Sequence, residues 1–147
     1  MTLKADGAIE QVSDSVITAK RLSLEGDDGI GNNLPILIDL QGGALNASAA
    51  GGRINIRELT GDLIVSQIVN TDGDVILNTA GSIVRFNADA LVQGNLVDLT
   101  ARTGSIGAAA PLRIDTGSAS LVAWAVGSIS LIEIDGDLNI ISVISTT

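Results

Sequence analysis

The feature that most constrains this chain is that it repeats itself. Residues 24–63 align with 99–138, with small shifts around an offset of 75 or 76. Leu24 meets Leu99, Ile30-Gly31 meets Ile106-Gly107, and Pro35 meets Pro111. Ile38-Asp39 meets Ile114-Asp115, and Leu45, Ala47 and Ala49 meet Leu121, Ala123 and Ala125. Gly51 meets Gly127, Ile54 meets Ile129, Glu58 meets Glu133, and Gly61-Asp62-Leu63 meets Gly136-Asp137-Leu138. That is 15 identities in 40 positions, spread over turn and core positions alike. The chain reads as one segment, 1–147, made of two units of about 75 residues: the first about 5–79, the second about 80–147. Repetition on this scale marks stacked architectures, in which a unit buries its apolar face only against its neighbours.

Within each unit the apolar period is two, in short bursts. Leu22-Ser23-Leu24, Ile36-Leu37-Ile38-Asp39-Leu40, Ile54-Asn55-Ile56 and Val75-Ile76-Leu77-Asn78 are examples. Val97-Asp98-Leu99, Leu112-Arg113-Ile114-Asp115, Ile129-Ser130-Leu131 and Leu138-Asn139-Ile140 are others. Such alternation puts aliphatic residues on one face of a strand and polar ones on the other. Gly26-Asp27-Asp28-Gly29, Gly42-Gly43, Asp72-Gly73-Asp74 and Asp135-Gly136-Asp137 are turn chemistry between the bursts, with Gly supplying positive φ. The chain is 46% hydrophobic but only 1% aromatic, so the core is Ile, Val, Leu and Ala. Those side chains suit a narrow, repetitive interior. The expected fold is all-β, a parallel β-helix (β-solenoid), with a two-fold repeated β-sandwich as the alternative. The expected coil is a third or a quarter of a unit. Six to eight coils at ~4.8 Å spacing make a rod roughly 30–40 Å long.

The residue inventory excludes whole classes of chemistry. With no Cys there is no disulfide framework, thiol nucleophile or zinc–thiolate site. With no His the usual general base and the commonest transition-metal ligand are missing. The net charge of −9 argues against nucleic acid, whose phosphates need clustered Lys and Arg. Leu121–Val126, the longest uncharged apolar stretch, is far short of the ~20 residues that insert in a membrane. Residues 1–6 lack the apolar region of a signal peptide. No capping helix is expected before Ile9 or after Ile144. The expectation is therefore a piece of a longer exported chain, or a subunit that stacks end to end on copies of itself.

Several residues then fall into a larger pattern. Asp28-Gly29-Ile30-Gly31, Leu34-Pro35, Ile38-Asp39-Leu40 and Gly52-Arg53-Ile54-Asn55-Ile56 form one set. Gly104-Ser105-Ile106-Gly107, Pro111-Leu112-Arg113-Ile114-Asp115 and Gly127-Ser128-Ile129-Ser130-Leu131 form the second. Together they resemble the repeats of filamentous-haemagglutinin-like and leukotoxin-type filamentous adhesins, giant repetitive surface proteins of bacteria. The resemblance covers nearly the whole chain. It implies a right-handed parallel β-helix, the shaft of a large exported protein at the bacterial cell surface, and no catalytic residue. The family's Asn-Pro-rich secretion domain has no counterpart here.

Few residues invite a specific chemistry, and no cofactor motif is present. Asp27-Asp28, Asp72, Asp74, Asp135 and Asp137 offer carboxylates in turns. Calcium wants six to eight oxygens, and no EF-hand or Gly-Gly-x-Gly-x-Asp repeat accompanies them; solvated turns are the simpler reading. Paired acids can cleave glycosides, but these recur in both units as turn formers, and no enzyme activity is expected. Arg53, Arg57, Arg102 and Arg113 read as scattered wall charges, with a glycan or anion surface as the alternative. Trp124 stands where the first unit has Ser48. With Leu121, Ala123 and Ala125 inward it faces outward, where an indole could anchor a glycan or a host protein. Thr is too irregular for an ice-binding face.

Overall fold

A computed structural model describes all 147 residues and contains fifteen strands and no helix. In chain order they are β1 (Thr2–Ala5), β2 (Ile17–Thr18), β3 (Arg21–Gly26), β4 (Ile36–Asp39) and β5 (Ala44–Ala49). Next come β6 (Arg53–Glu58), β7 (Leu63–Asn70), β8 (Asp74–Thr79), β9 (Ile83–Arg85) and β10 (Leu91–Gln93). The last five are β11 (Leu96–Ala101), β12 (Leu112–Asp115), β13 (Ser120–Ala125), β14 (Leu131–Glu133) and β15 (Asn139–Ser145). They form two sheets. The first runs β1-β3-β5-β7-β10-β12-β14, with β9 beside β10 on β7; the second runs β2-β4-β6-β8-β11-β13-β15. All neighbours are parallel. Parallel neighbours need a crossover between them, and here the crossover is the strand of the opposite sheet. The chain is a β-solenoid, and the sandwich alternative is excluded.

Register partners lie between 19 residues apart, as in Leu112 and Leu131, and 24 apart, as in Leu96 and Ser120. A coil is thus neither a third nor a quarter of the 75-residue unit. The unit is about three and a half coils, and the half matters. Leu24 lies in β3 of the first sheet, while its repeat partner Leu99 lies in β11 of the second. Ile38 lies in β4 of the second sheet, and Ile114 in β12 of the first. Even an irregularity is copied. The ladder of β5 on β7 slips between Leu45 and Asn46, and that of β13 on β15 slips between Leu121 and Val122.

The core follows from alternation. In β3, β6, β8, β11 and β13 every second residue is buried. Equivalent inward residues stack along the axis, as in the column Ile56, Leu77, Leu99, Ala123. The cluster has 27 buried residues and no aromatic ring. Each large aliphatic side chain so buried contributes roughly 1.5–3 kcal/mol.

The Gly-Ile-Gly…Pro motif now has a physical cause. Ile30 bridges to Ile9 and Ile54, and Ile106 bridges to Ile83 and Ile129. The chain then leaves the sheet at Gly31 and Gly107, both at positive φ (72° and 68°), and re-enters at Ile36 and Leu112. A side chain on either glycine would strike backbone of the neighbouring coil, Asn55 O or Ser130 O. The residues between form a wedge outside the ladder. Gly73 has a different reason. Its φ is not positive, but a Cβ there would collide with the carbonyl oxygen of Gly52, so it is close stacking of corners that requires glycine.

Candidate functional site

The walls of the solenoid are its outward residues, and the repeat places the same positions on opposite walls. On the first sheet Ser23 pairs with Asn46 and Glu25 with Ser48. On the second, Asp98 pairs with Val122 and Thr100 with Trp124. These are counterparts across the repeat. On the first wall the short side chains leave a depression of about 260 Å³, lined also by Gln67 and Val69. On the second wall Trp124 stands in that position. It faces outward and is half-buried, flanked in register by Thr100 and Ile144. Asp98 lies between Ile76 and Val122. Burial among these neighbours pushes its carboxyl above the ordinary value of 3.8. The Arg102 Nε donates to Asn78 Oδ1 at 3.0 Å on the same side. The patch is an amphipathic platform that could hold a ligand with one apolar face and hydroxyl or amide groups.

The acidic turns do not converge. Asp72 and Asp74 sit at the corner between β7 and β8, and Asp135 and Asp137 at the corner between β14 and β15, coils away. Asp74 Oδ1 accepts the Leu96 N–H at 3.2 Å. No three acidic side chains come together where a cation could be held. The arginines are likewise divided. Arg53 and Arg57 lie on β6 of the second sheet, and Arg113, whose guanidinium donates to Ala88 O at 3.3 Å, on β12 of the first.

The more committed polar side chains are ones to which no role attaches from composition. Glu58 ends β6 wholly buried. Its Oε2 accepts the Leu40 N–H at 3.1 Å and its Oε1 the Thr60 N–H at 3.2 Å, tying together two successive corners. Its repeat partner Glu133 does the same at the opposite corner: Oε1 accepts the Thr116 N–H at 3.1 Å and Oε2 the Thr116 hydroxyl at 2.9 Å. The signal was present in the sequence, since Glu58 and Glu133 match across the repeat. Glu10 holds a wedge, its two oxygens accepting the N–H groups of Asn32 and Asn33. Asn70 donates from Nδ2 to Gly52 O and Asp74 O, and its buried Oδ1 has no partner. Glu58, wholly buried, and Glu133, part-buried, are both occupied by donors of the preceding corner, so their chemistry here is to satisfy corners.

No family model, curated protein or solved structure matches this chain.

Proposed function

We propose that this chain is a length of structural shaft, a stiff spacer in a large bacterial adhesin carried at the cell surface or secreted. The observation that carries the reading is the unbroken parallel ladder. It passes through every coil, over a single aliphatic core, with the corners tied by Glu58 and Glu133. A structure in which each coil contacts only the next is suited to transmit length and stiffness. The resemblance of the Gly-Ile-Gly…Pro units to filamentous adhesin repeats supports the surface assignment.

The test is to lengthen it. Three copies joined in tandem through a two-residue turn should scatter X-rays as one rod of constant cross-section, ~4.8 Å longer for each added coil. Dimensions of three beads on a flexible string would overturn the shaft reading. Antibodies to the chain should label intact source cells; labelling only after lysis would overturn the surface assignment. The Trp124 platform supports a second reading, a wall that binds glycan or host protein. Saturable binding on a glycan or matrix-protein array, lost in Trp124→Ala, would make the wall the function.

A further inference from the structure

The two walls carry one repeat, so each shows what the other lacks. On the first wall two rows of outward residues run along the axis. Ser23, Asn46 and Gln67 form one row, and Glu25, Ser48 and Val69 the other. On the second wall the same rows are Asp98, Val122 and Ser142, and Thr100, Trp124 and Ile144. Trp124 and its neighbours in those rows line no recess. With Ser48 in that position the first wall keeps one of about 260 Å³. It lies across β3, β5 and β7, between β1 on one side and β10 on the other.

Both edges of the recess are held in place. Lys4 Nζ donates to Glu25 Oε2 at 3.0 Å, and Gln67 Nε2 donates to Asp89 O at 2.6 Å. The bulge in β7 puts Gln67 there. The ladder slips between Leu45 and Asn46, so Gln67 rather than Ser66 stands beside Asn46. Bulges re-aim side chains in this way. Between the edges Asn46 and Ser48 are exposed. The Asn46 amide offers a donor and an acceptor, the Ser23 and Ser48 hydroxyls can do either, and the Glu25 carboxylate accepts. Val69 is the one apolar side chain in the two rows.

We infer that this recess binds one pyranose ring of a neutral glycan. Trp124 shows that the position takes a ring, because in the second unit the chain supplies one itself. The lining decides which kind. Where Trp124 has Val122 and Ile144 beside it, the recess has Asn46 and Val69. An aromatic group from a partner would bury Asn46 and the two serines without hydrogen-bond partners, which is costly. A pyranose brings hydroxyl groups on its edge for them and C–H groups on its face for Val69. The volume of about 260 Å³ falls below the ~300–1,000 Å³ of pockets that enclose drug-sized ligands, so it suits one ring. The net charge of −9 and the Glu25 carboxylate disfavour an anionic sugar, and Lys4, the cation at the edge, already faces Glu25. A site this small is weak, with a Kd on the order of 1 mM.

The site stands whether or not the chain is a shaft, and it is distinct from the Trp124 platform. It is tested by amide-resolved NMR titration of the whole chain with the methyl pyranosides of glucose, galactose, mannose and N-acetylglucosamine. Sodium glucuronate and indole are titrated in parallel as the anionic and aromatic probes. At least one neutral pyranoside should give saturable shifts at the amides of residues 23–25, 46–48 and 67–69. Ser48→Trp fills the recess with the residue the second unit carries, so the coil accepts it, and it should weaken the binding ~10-fold or more with far-UV circular dichroism unchanged. Asn46→Val installs the counterpart Val122 and should weaken it too; it decides the matter if Ser48→Trp loses its spectrum. No shift with any of the pyranosides at ~50 mM, far above a Kd of that order, would overturn the inference. So would undiminished binding to the filled variant, a response to glucuronate or indole in place of the neutral sugars, or shifts confined to residues 98–100 and 122–124, which would move recognition to the opposite wall.

Discussion

Replacing Glu58 sets two forces against each other at one corner. The carboxylate is fully buried, which penalises its charge, yet each oxygen accepts a backbone N–H, from Thr60 and from Leu40, which favours the charge. Burial is the larger effect, with a small push from Asp39, and the folded-state pKa lies above the ordinary 4.5. The folded protein therefore binds this proton more tightly than the unfolded chain. Stability from this group is full below about pH 4.5 and is lost as the pH rises through the folded pKa. Each unit of elevation costs about 1.4 kcal/mol at neutral pH. Glu58→Gln removes the charge and keeps one of the two acceptors. Its NH2 cannot accept the second N–H, which costs ~1–3 kcal/mol at both pH values, but it should gain on the wild type as the pH rises from 4 to 7.5. Glu58→Leu strands both N–H groups, at ~1–3 kcal/mol each, and should lose ~2–5 kcal/mol at both pH values. Urea unfolding followed by far-UV circular dichroism and Trp124 fluorescence measures all three proteins. Only differences from the wild type are used, so that pH effects common to all three proteins cancel. A Gln variant that loses ground on the wild type between pH 4 and pH 7.5 would refute the reasoning, for then the N–H donors outweigh burial.

Leu77→Ala should cost ~2–5 kcal/mol, since Leu77 is 1% exposed between Ile56 and Leu99, while outward Ile76→Ala should cost clearly less; equal shifts of the urea midpoint would sink the inward–outward assignment. Gly73→Ala should destabilise by more than ~2 kcal/mol, because its Cβ meets the backbone of Gly52, whereas Gly51→Ala, whose nearest neighbour lies 4.0 Å away, should be near neutral on the same melts. Trp124→Ala should cost less than Leu99→Ala, the indole being half-exposed on the wall, and a larger loss would place the ring in the core. Asp98 has a raised pKa from burial, so Asp98→Asn should gain stability relative to the wild type as the pH rises from 4 to 7; a relative loss would reverse the sign.

The strands that sequence periodicity picks out are the ones with strict alternation, such as Ile36–Asp39 and Leu112–Asp115. β7 is harder to see. Its bulge puts Ser66 and Gln67 between Val65 and Ile68, which breaks the period of two inside one continuous strand. β5 is faint for another reason: Ala44-Leu45-Asn46-Ala47-Ser48-Ala49 is built of small residues, whose burial depends on the sheet opposite rather than on their own hydrophobicity. The repeat was legible, but its phase was not. An offset of 75 says nothing of which sheet a residue joins, because that depends on where the chain turns, and the wedges after Ile9, Ile30, Arg85 and Ile106 lengthen some coils and not others. At the candidate site, the outward direction of Trp124 followed from alternation alone. Its neighbours Thr100 and Ile144 come from adjacent coils and needed the register.

That two sheets can exchange roles after one unit says what kind of constraint acts on this sequence. Both sheets face one core of the same aliphatic residues, and both corners are closed by the same means: a glycine that lets carbonyls approach and a glutamate that satisfies N–H groups. Neither sheet is specialised, so packing does not distinguish a residue on one wall from its counterpart on the other. Positions where the two units differ on the outside are thus free of the fold's demands. Ser23, Asn46 and Ser48 against Asp98, Val122 and Trp124 are such positions, and each set lies together on its own wall. A recess on one wall and an indole platform on the other occupy equivalent positions of the repeat. Recognition by one wall and not the other has to reside in outward differences of this kind, because both walls rest on the same aliphatic core.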